Sequence, residues 1–226
     1  MTSSDLSPIT YAIGDVHGCL AKLRRLLAKI TDHAAGRPTR LIFLGDYIDR
    51  GPDSRGVIDC IMALQRERPD SVIGLRGNHE AIALMAVAAP DEYEEYWRMN
   101  GGATTLTSFD AMRADELPAE TVAWMDALPY AYDDGRHYFV HAGVDPTRTL
   151  SEQNDHDRIW IREPFLSSHA AFERLIVHGH TPLMTAKPDI RANRINLDTG
   201  AVYGGPLTAA AFVADKREPI GFLTDD

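Results

Sequence analysis

Apolar and polar positions alternate along the first ninety residues in a repeated order. Ile9-Thr10-Tyr11-Ala12-Ile13 is a short apolar run that ends at Gly14-Asp15-Val16-His17-Gly18. Behind it Leu20, Leu23, Leu27 and Ile30 recur at three- and four-residue spacing, which predicts an amphipathic helix closed by Gly36 and Pro38. Leu41 to Leu44 predicts a second strand, followed by the polar loop Gly45-Asp46-Tyr47-Ile48-Asp49-Arg50-Gly51. Ser54 then stands where a cap belongs, before a helix carrying Val57, Ile58, Ile61, Met62 and Leu64. Val72 to Leu75 predicts a third strand, ending at Gly77-Asn78-His79-Glu80, with a helix over Ala81 to Ala89. Three strand, loop, helix units in succession predict a parallel sheet with right-handed crossovers.

From Asp91 to Leu128 the pattern is helical throughout, broken at Asn100-Gly101-Gly102. This stretch reads as an insert that caps one edge of the sheet, with Tyr93, Tyr96 and Trp97 in its core. The second half reads as β-rich. Tyr130 to Asp133 and His137 to Val140 flank the turn dipeptide Asp134-Gly135, and further strands are expected at Leu175 to His178, Ile190 to Leu197 and Leu207 to Ala214. Loops are expected at Asp145 to Asp157 and Thr181 to Pro188. Because polar motifs extend from residue 14 to residue 180, both halves share one site. The expected architecture is a single domain, 1–226, of mixed α/β (α+β) class: a two-sheet β-sandwich flanked by helices, with a helical cap insert over about 91–128.

Composition narrows the class. The formal net charge of the 226 residues is -10, and no basic run exceeds Arg24-Arg25, so a nonspecific nucleic-acid binder is disfavoured, as is an anionic membrane partner. The two cysteines, Cys19 and Cys60, fall in segments that look helical and suit buried thiols in a reducing compartment. Met1 to Pro8 lacks the basic and apolar pattern of an export signal, and no stretch is long enough to span a membrane. A cytoplasmic protein is expected.

The chemistry lies in the loops. Asp15 and His17, Asp46, Asn78, His141 and His180 sit at the ends of five separate apolar runs, where a sheet edge can turn them toward common ions. Three imidazoles, two carboxylates and an amide oxygen suit a borderline or hard divalent ion: Mn²⁺, Fe²⁺ or Zn²⁺. Two aspartates cannot neutralise two such ions, so a two-metal site bridged by Asp46 keeps about two positive charges for a phosphate dianion. Arg50 and Arg162 are the phosphate clamps, with Asn78 and His79 beside them at the phosphate. His79 next to Asn78 is placed to protonate a leaving oxygen, with Asp49 orienting its ring and raising its pKa. His33, His137, His156 and His169 have no motif around them and read as ordinary, and His178 reads as structural.

The blocks Gly14 to Gly18, Gly45 to Gly51, Gly77 to Glu80, His141-Ala142-Gly143 and Gly179-His180-Thr181 resemble the calcineurin-like metallophosphoesterase superfamily. More narrowly they resemble its phosphoprotein phosphatases, in the short bacterial and phage-lambda type. The resemblance covers about residues 9 to 205. It implies a hydrolase with two metals at the edge of a β-sandwich, usually Mn²⁺. Asp15, His17 and Asp46 would hold one metal and Asp46, Asn78, His141 and His180 the other, with a bridging hydroxide attacking phosphorus in line. It also supports Arg50 and Arg162 as phosphate binders, since Trp160-Ile161-Arg162-Glu163 is similar to the segment carrying that arginine in short relatives. His141-Ala142-Gly143 departs from the His-Gly-Gly of eukaryotic members, which fits a bacterial origin. The long C-terminal region that forms regulatory grooves in eukaryotic relatives is absent, so no dedicated regulatory subunit is expected.

The leading expectation is therefore a phosphatase acting on phosphoserine and phosphothreonine in proteins or peptides, with phosphotyrosine left open. A symmetrical diadenosine tetraphosphate hydrolase is the alternative; those relatives are longer and tend to lack an acid at the position of Asp49. A non-catalytic metal-binding scaffold is the alternative of another class, and it should have lost a ligand or the acid histidine, neither of which is missing here.

Overall fold

The computed structural model describes residues 8–226. The reading of Met1 to Pro8 falls, Pro8 apart, outside the described residues. Two five-stranded sheets make the framework. In the first, β1 (Ile9–Ile13), β2 (Thr39–Phe43) and β3 (Val72–Gly74) run parallel, as the three repeated units predict. In the second, β4 (Ala131–Asp133) and β5 (His137–Val140) form the expected antiparallel hairpin, and β5 runs parallel to β6 (Leu175–His178). The run expected as one strand from Ile190 to Leu197 is instead two, β7 (Asp189–Ile190) and β8 (Arg194–Asn196), folded back on each other. β9 (Thr208–Phe212) returns to the first sheet and lies antiparallel beside β1, and β10 (Gly221–Thr224) pairs antiparallel with the outer side of β9.

Alternation along each strand assigns its faces. Ile9, Tyr11 and Ile13 of β1 and Leu41 and Phe43 of β2 share a core with α1 (Leu20–Ala34) and α2 (Ser54–Glu67). Ala12, Ile42, Ala210 and Phe212 point the other way and meet Phe139, Leu175, Val177 and Ile195 of the second sheet. The sheets thus pack face to face with helices on the outer face of the first. Burial on both faces is why β1 and β2 read as continuous apolar runs.

The helices depart from expectation at their starts. The cap of α2 is Asp53, whose carboxylate accepts the Gly56 N–H at 2.8 Å; Ser54 is already helical, and its hydroxyl accepts the Asp49 N–H at 3.1 Å. α3 (Asn78–Ala88) begins on the polar motif itself rather than at Ala81. The insert comprises α4 (Pro90–Trp97), a wide turn over Arg98–Gly102, α5 (Ala103–Ser108) and α6 (Ala119–Asp126), and it packs on α2 and α3. Trp97 is fully buried there, whereas Tyr96 is 47% exposed and so is not a core aromatic. α7 (Asp155–Trp160) takes up the end of the loop expected over Asp145 to Asp157, with Asn154 as its cap. Cys19 precedes α1, Cys60 lies within α2, and both thiols are free.

Candidate metal centre

All six candidate ligands lie at the C-terminal ends of β1, β2, β3, β5 and β6, and all are buried. The backbone there is unusual. Of the eight non-glycine residues with positive φ among the described residues, five are His17, Asp46, Asp49, Arg50 and His180. Each such conformation costs roughly 1–2 kcal/mol, so their concentration at one edge marks a site that the surrounding structure enforces. Two flanking glycines are needed for close approach: a Cβ on Gly77 would lie 2.2 Å from Asp46 Oδ1, and one on Gly179 2.0 Å from Asp15 Oδ1.

Asp46 is the centre. Its Oδ2 lies 3.4 Å from His17 Nε2, 3.4 Å from His141 Nε2 and 4.0 Å from His79 Nε2, while its Oδ1 accepts the His79 N–H at 3.1 Å. Two potential ion-holding groups share it, His17–Asp46–His79 and Asp46–His141–His180, each with ligand atoms within 4.8 Å of one another. Asn78 Oδ1 completes the second, 3.0 Å from His141 Nε2 and 2.9 Å from His180 Nδ1. Asp15 stands outside both groups: its carboxylate accepts the backbone N–H of His180 at 3.0 Å.

The arrangement fits cations. His141 Nδ1 donates to the Leu44 carbonyl at 2.8 Å and His17 Nδ1 to the Ile48 carbonyl at 2.7 Å. The lone pairs on their Nε2 atoms therefore face the oxygens of Asp46 and Asn78, a convergence that an ion bridges and that a proton otherwise relieves. Burial alone would lower His141, but the charges of Asp46, Asp15 and Glu80 push it up to about 10. Burial pushes Asp15 well above the usual carboxylate range, aided by the charge of Asp198. Burial also holds His17 and His180 at about 3, so both rings are neutral, the form in which an imidazole ligates. Without an ion the His141 proton is what offsets the Asp46 charge, and Asp15 is left short of positive charge; a divalent ion among these groups would supply both.

Next to this centre lies a second pair. His79 Nδ1 donates to Asp49 Oδ2 at 2.7 Å, which leaves Nε2 facing Asp46. Burial lowers the His79 pKa, but the Asp46 charge and the Asp49 hydrogen bond outweigh it and the net shift is upward. Arg50 reaches His17, with its guanidinium 2.6 Å from Nε2, and lies 5.8 Å from the Tyr203 ring. Arg162 is exposed just beyond α7; its charge contributes, after burial and His141, to the low pKa of His180, so it stands within electrostatic reach of the centre. Of the histidines set aside, His178 is buried between Arg194 and the Phe165 ring and takes no part.

Four residues were given no role in the site by the sequence reading. Glu80 is buried and accepts the N–H groups of Asp46, Tyr47 and Gly77 at 2.8–3.0 Å, tying the β2 and β3 loops together. Burial and the Asp46 charge push its pKa up to about 7, while the three donors favour the carboxylate. Its signal was present: an acid three residues beyond a glycine cap. Asp198 is buried beside Asp15 and raised to about 6, first by burial; Asp-Thr-Gly after a strand was its only trace. Trp97 and Thr105 both reach Asp49 from the insert.

Comparison with known proteins agrees with this geometry. Residues 10–214 match the family of calcineurin-like phosphoesterases. Serine/threonine-protein phosphatase 1 of Salmonella typhimurium is 34% identical over 88% of this chain and 90% of its own length. An asymmetrical bis(5'-nucleosyl)-tetraphosphatase of Anoxybacillus flavithermus is 28% identical over 88% of this chain and 89% of its own. In fold, the chain is similar to the cold-active protein-tyrosine phosphatase of a Shewanella species, with a TM-score of 0.64 at 20% identity over 98% of this chain and 81% of the other. With its sheets, its buried ligand set and these similarities in agreement, the chain belongs to the calcineurin-like phosphoesterase family.

Proposed function

We propose that this protein is a metal-dependent phosphomonoesterase that hydrolyses phosphoserine and phosphothreonine in proteins, with phosphotyrosine open to the same chemistry. The observation that carries the reading is the Asp46 carboxylate shared by two ion-holding groups, with Arg50 on one side and the His79–Asp49 pair on the other. Asp15, His17 and Asp46 would hold one ion, and Asp46, Asn78, His141 and His180 the other; Mn²⁺ is preferred, with Fe²⁺ or Zn²⁺ as alternatives. Asp15 rather than His79 is assigned to the first, because the His79 ring is already committed to Asp49 while Asp15 is a buried carboxylate in need of positive charge. When bound, the two ions supply charge to a phosphate dianion and acidify water in the site.

The protein's own groups do the rest. Arg50 and Arg162 clamp phosphate oxygens, beside Asn78 and His79. Asp49 holds His79 so that the proton on Nε2 passes to the ester oxygen as the P–O bond breaks, with neutralisation of the leaving alkoxide as the gain. The chain acts as one domain, 1–226, in which the insert over about 91–128 selects the substrate. A phosphoprotein as partner is supported by the Salmonella relative, which aligns over nearly its whole length. The charge of -10 argues against nucleic acid, and no described helix is long and apolar enough to cross a membrane. We place the protein in the cytoplasm, working without a dedicated regulatory subunit.

The Anoxybacillus relative favours a second reading, hydrolysis of a dinucleoside tetraphosphate. Rates on phosphoserine peptide, phosphotyrosine peptide and diadenosine tetraphosphate, measured side by side with and without Mn²⁺ on metal-stripped protein, separate the two. Manganese-dependent release of phosphate from the peptides with the dinucleotide nearly intact is expected. Fast dinucleotide cleavage with slow peptide turnover would replace the substrate assignment, and the product, ADP or an ATP–AMP pair, would show which bond is cut.

A further inference from the structure

The Asp49 carboxylate has more partners than orienting one histidine needs. Trp97 Nε1–H points between its two oxygens, 3.0 Å from each, and the Thr105 hydroxyl donates to Oδ1 at 2.7 Å. Thr105 Oγ1 also accepts the Asp49 N–H at 2.9 Å, and Ser54 Oγ lies 3.0 Å from it. Asp49, Trp97, Thr105 and His79 are all buried. With the Thr105 proton given to the carboxylate, Ser54 supplies the next one, and every donor and acceptor in the group is matched.

Trp97 and Thr105 lie on α4 and α5, either side of the turn Arg98–Gly102, and that turn also grips the phosphate-binding loop. The Gly101 carbonyl accepts the Arg50 N–H at 3.2 Å. Gly101 has φ of 107°, and a Cβ there would lie 2.8 Å from Arg50 N; a Cβ on Gly102 would lie 2.5 Å from the Trp97 ring. Ring, turn and loop are therefore fitted to each other without slack. A Trp97 whose only purpose was to fill the core would need one acceptor for its N–H, and any carbonyl would serve. Here the acceptor is the carboxylate that holds His79, and a second insert residue donates to the same group.

We propose that Trp97 and Thr105 are positioning residues for the His79–Asp49 pair, so that the insert sets the aim of the proton donor and not only the choice of substrate. The inference rests on the reading of His79 as proton donor. Three donors fix the Asp49 carboxylate in rotation and in place, and His79 Nδ1–H can meet Oδ2 in one orientation only. Removing the indole donor lets the carboxylate turn, and the ring turns with it. The loss should therefore appear only where a leaving oxygen needs its proton.

The test compares two substrates at saturating Mn²⁺: phosphoserine peptide, whose alkoxide leaves poorly, and p-nitrophenyl phosphate, whose phenolate leaves well. Trp97→Phe keeps the bulk and removes the donor. It should lower kcat on the peptide by about tenfold and leave kcat on the aryl ester within about twofold. Thr105→Val, which does not disturb the ring packing, should show the same pattern more weakly. In an Asp49→Asn background Trp97→Phe should cost nothing further on the peptide, because its route runs through the carboxylate. Equal losses on both substrates, or losses that add to those of Asp49→Asn, would overturn the proposal and leave Trp97 as packing. His79→Asn belongs in the same panel. If it is selective for the poor leaving group while Trp97→Phe and Thr105→Val are not, the positioning role alone fails; if His79→Asn is not selective, the proton-donor reading itself fails.

Discussion

His178 shows how differently the buried histidines of one site edge are used. It lies two residues before the candidate ligand His180, yet its Nδ1 faces the Gly179 carbonyl at 3.1 Å and its ring edge meets Phe165. Burial, followed by the charge of Arg194, lowers its pKa from 6.5 to about 3. The folded protein thus keeps this ring neutral while the unfolded chain takes up a proton below 6.5. A depressed folded value means that stability is fully present above 6.5 and is lost as the pH falls toward 3. Urea denaturation of wild type and His178→Gln isolates the effect. From about pH 7.5 to about pH 5 the wild type should lose about 2 kcal/mol relative to the variant; a constant gap would show that the ring is not held neutral. At this scale the sequence was most informative for the candidate ligands themselves. Asp15, His17, Asp46, Asn78 and His180 stand directly beside glycines after apolar runs, and His141 two before one, where the backbones approach closely. Glu80 and Asp198 left only a capping-box spacing and an Asp-Thr-Gly after a strand, because they work through backbone amides and beside another carboxylate, contacts that a single chain's pattern does not display.

Among the elements, strands and long helices were legible and short ones were not. β1 and the β4–β5 hairpin fall where burial on both faces and the Asp134-Gly135 turn predict. α7 is only six residues long, too short for a helical period to emerge, and β7 and β8 are separated by a turn that interrupts an otherwise strand-like run. The wide turn Arg98–Gly102 looked like a simple break between helices, and its grip on Arg50 depends on tertiary contact. Gly102→Ala tests the fit between this turn and the Trp97 ring. Its φ of -60° suits alanine, so the backbone is unstrained and only the contact with the Trp97 ring changes. Displacing the ring should cost about 1–3 kcal/mol of stability, as overpacking does. It should also reproduce the leaving-group selectivity expected of Trp97→Phe. A destabilised variant with equal losses on both substrates would separate the turn from the catalytic pair.

For the whole molecule, the sandwich brings five strand ends and the candidate ligands they carry to one edge, in a chain whose formal net charge is -10. The parallel pairing of the first three strands was readable because each unit repeats the same pattern of strand, loop and helix, and the two-sheet architecture because the polar motifs extend over both halves. The return of β9 and β10 to the first sheet was not, since nothing local tells a strand which sheet it joins. The central claim is that Asp46 organises a two-ion centre. It is tested most directly by titrating metal-stripped protein with Mn²⁺, following bound metal and phosphate release from a phosphoserine peptide together, for wild type and for Asp46→Asn. The account predicts two equivalents bound to wild type, activity that appears with them, and a loss of about a hundredfold or more in metal affinity on substitution. Turnover without metal, or two ions held as tightly by Asp46→Asn, would contradict it.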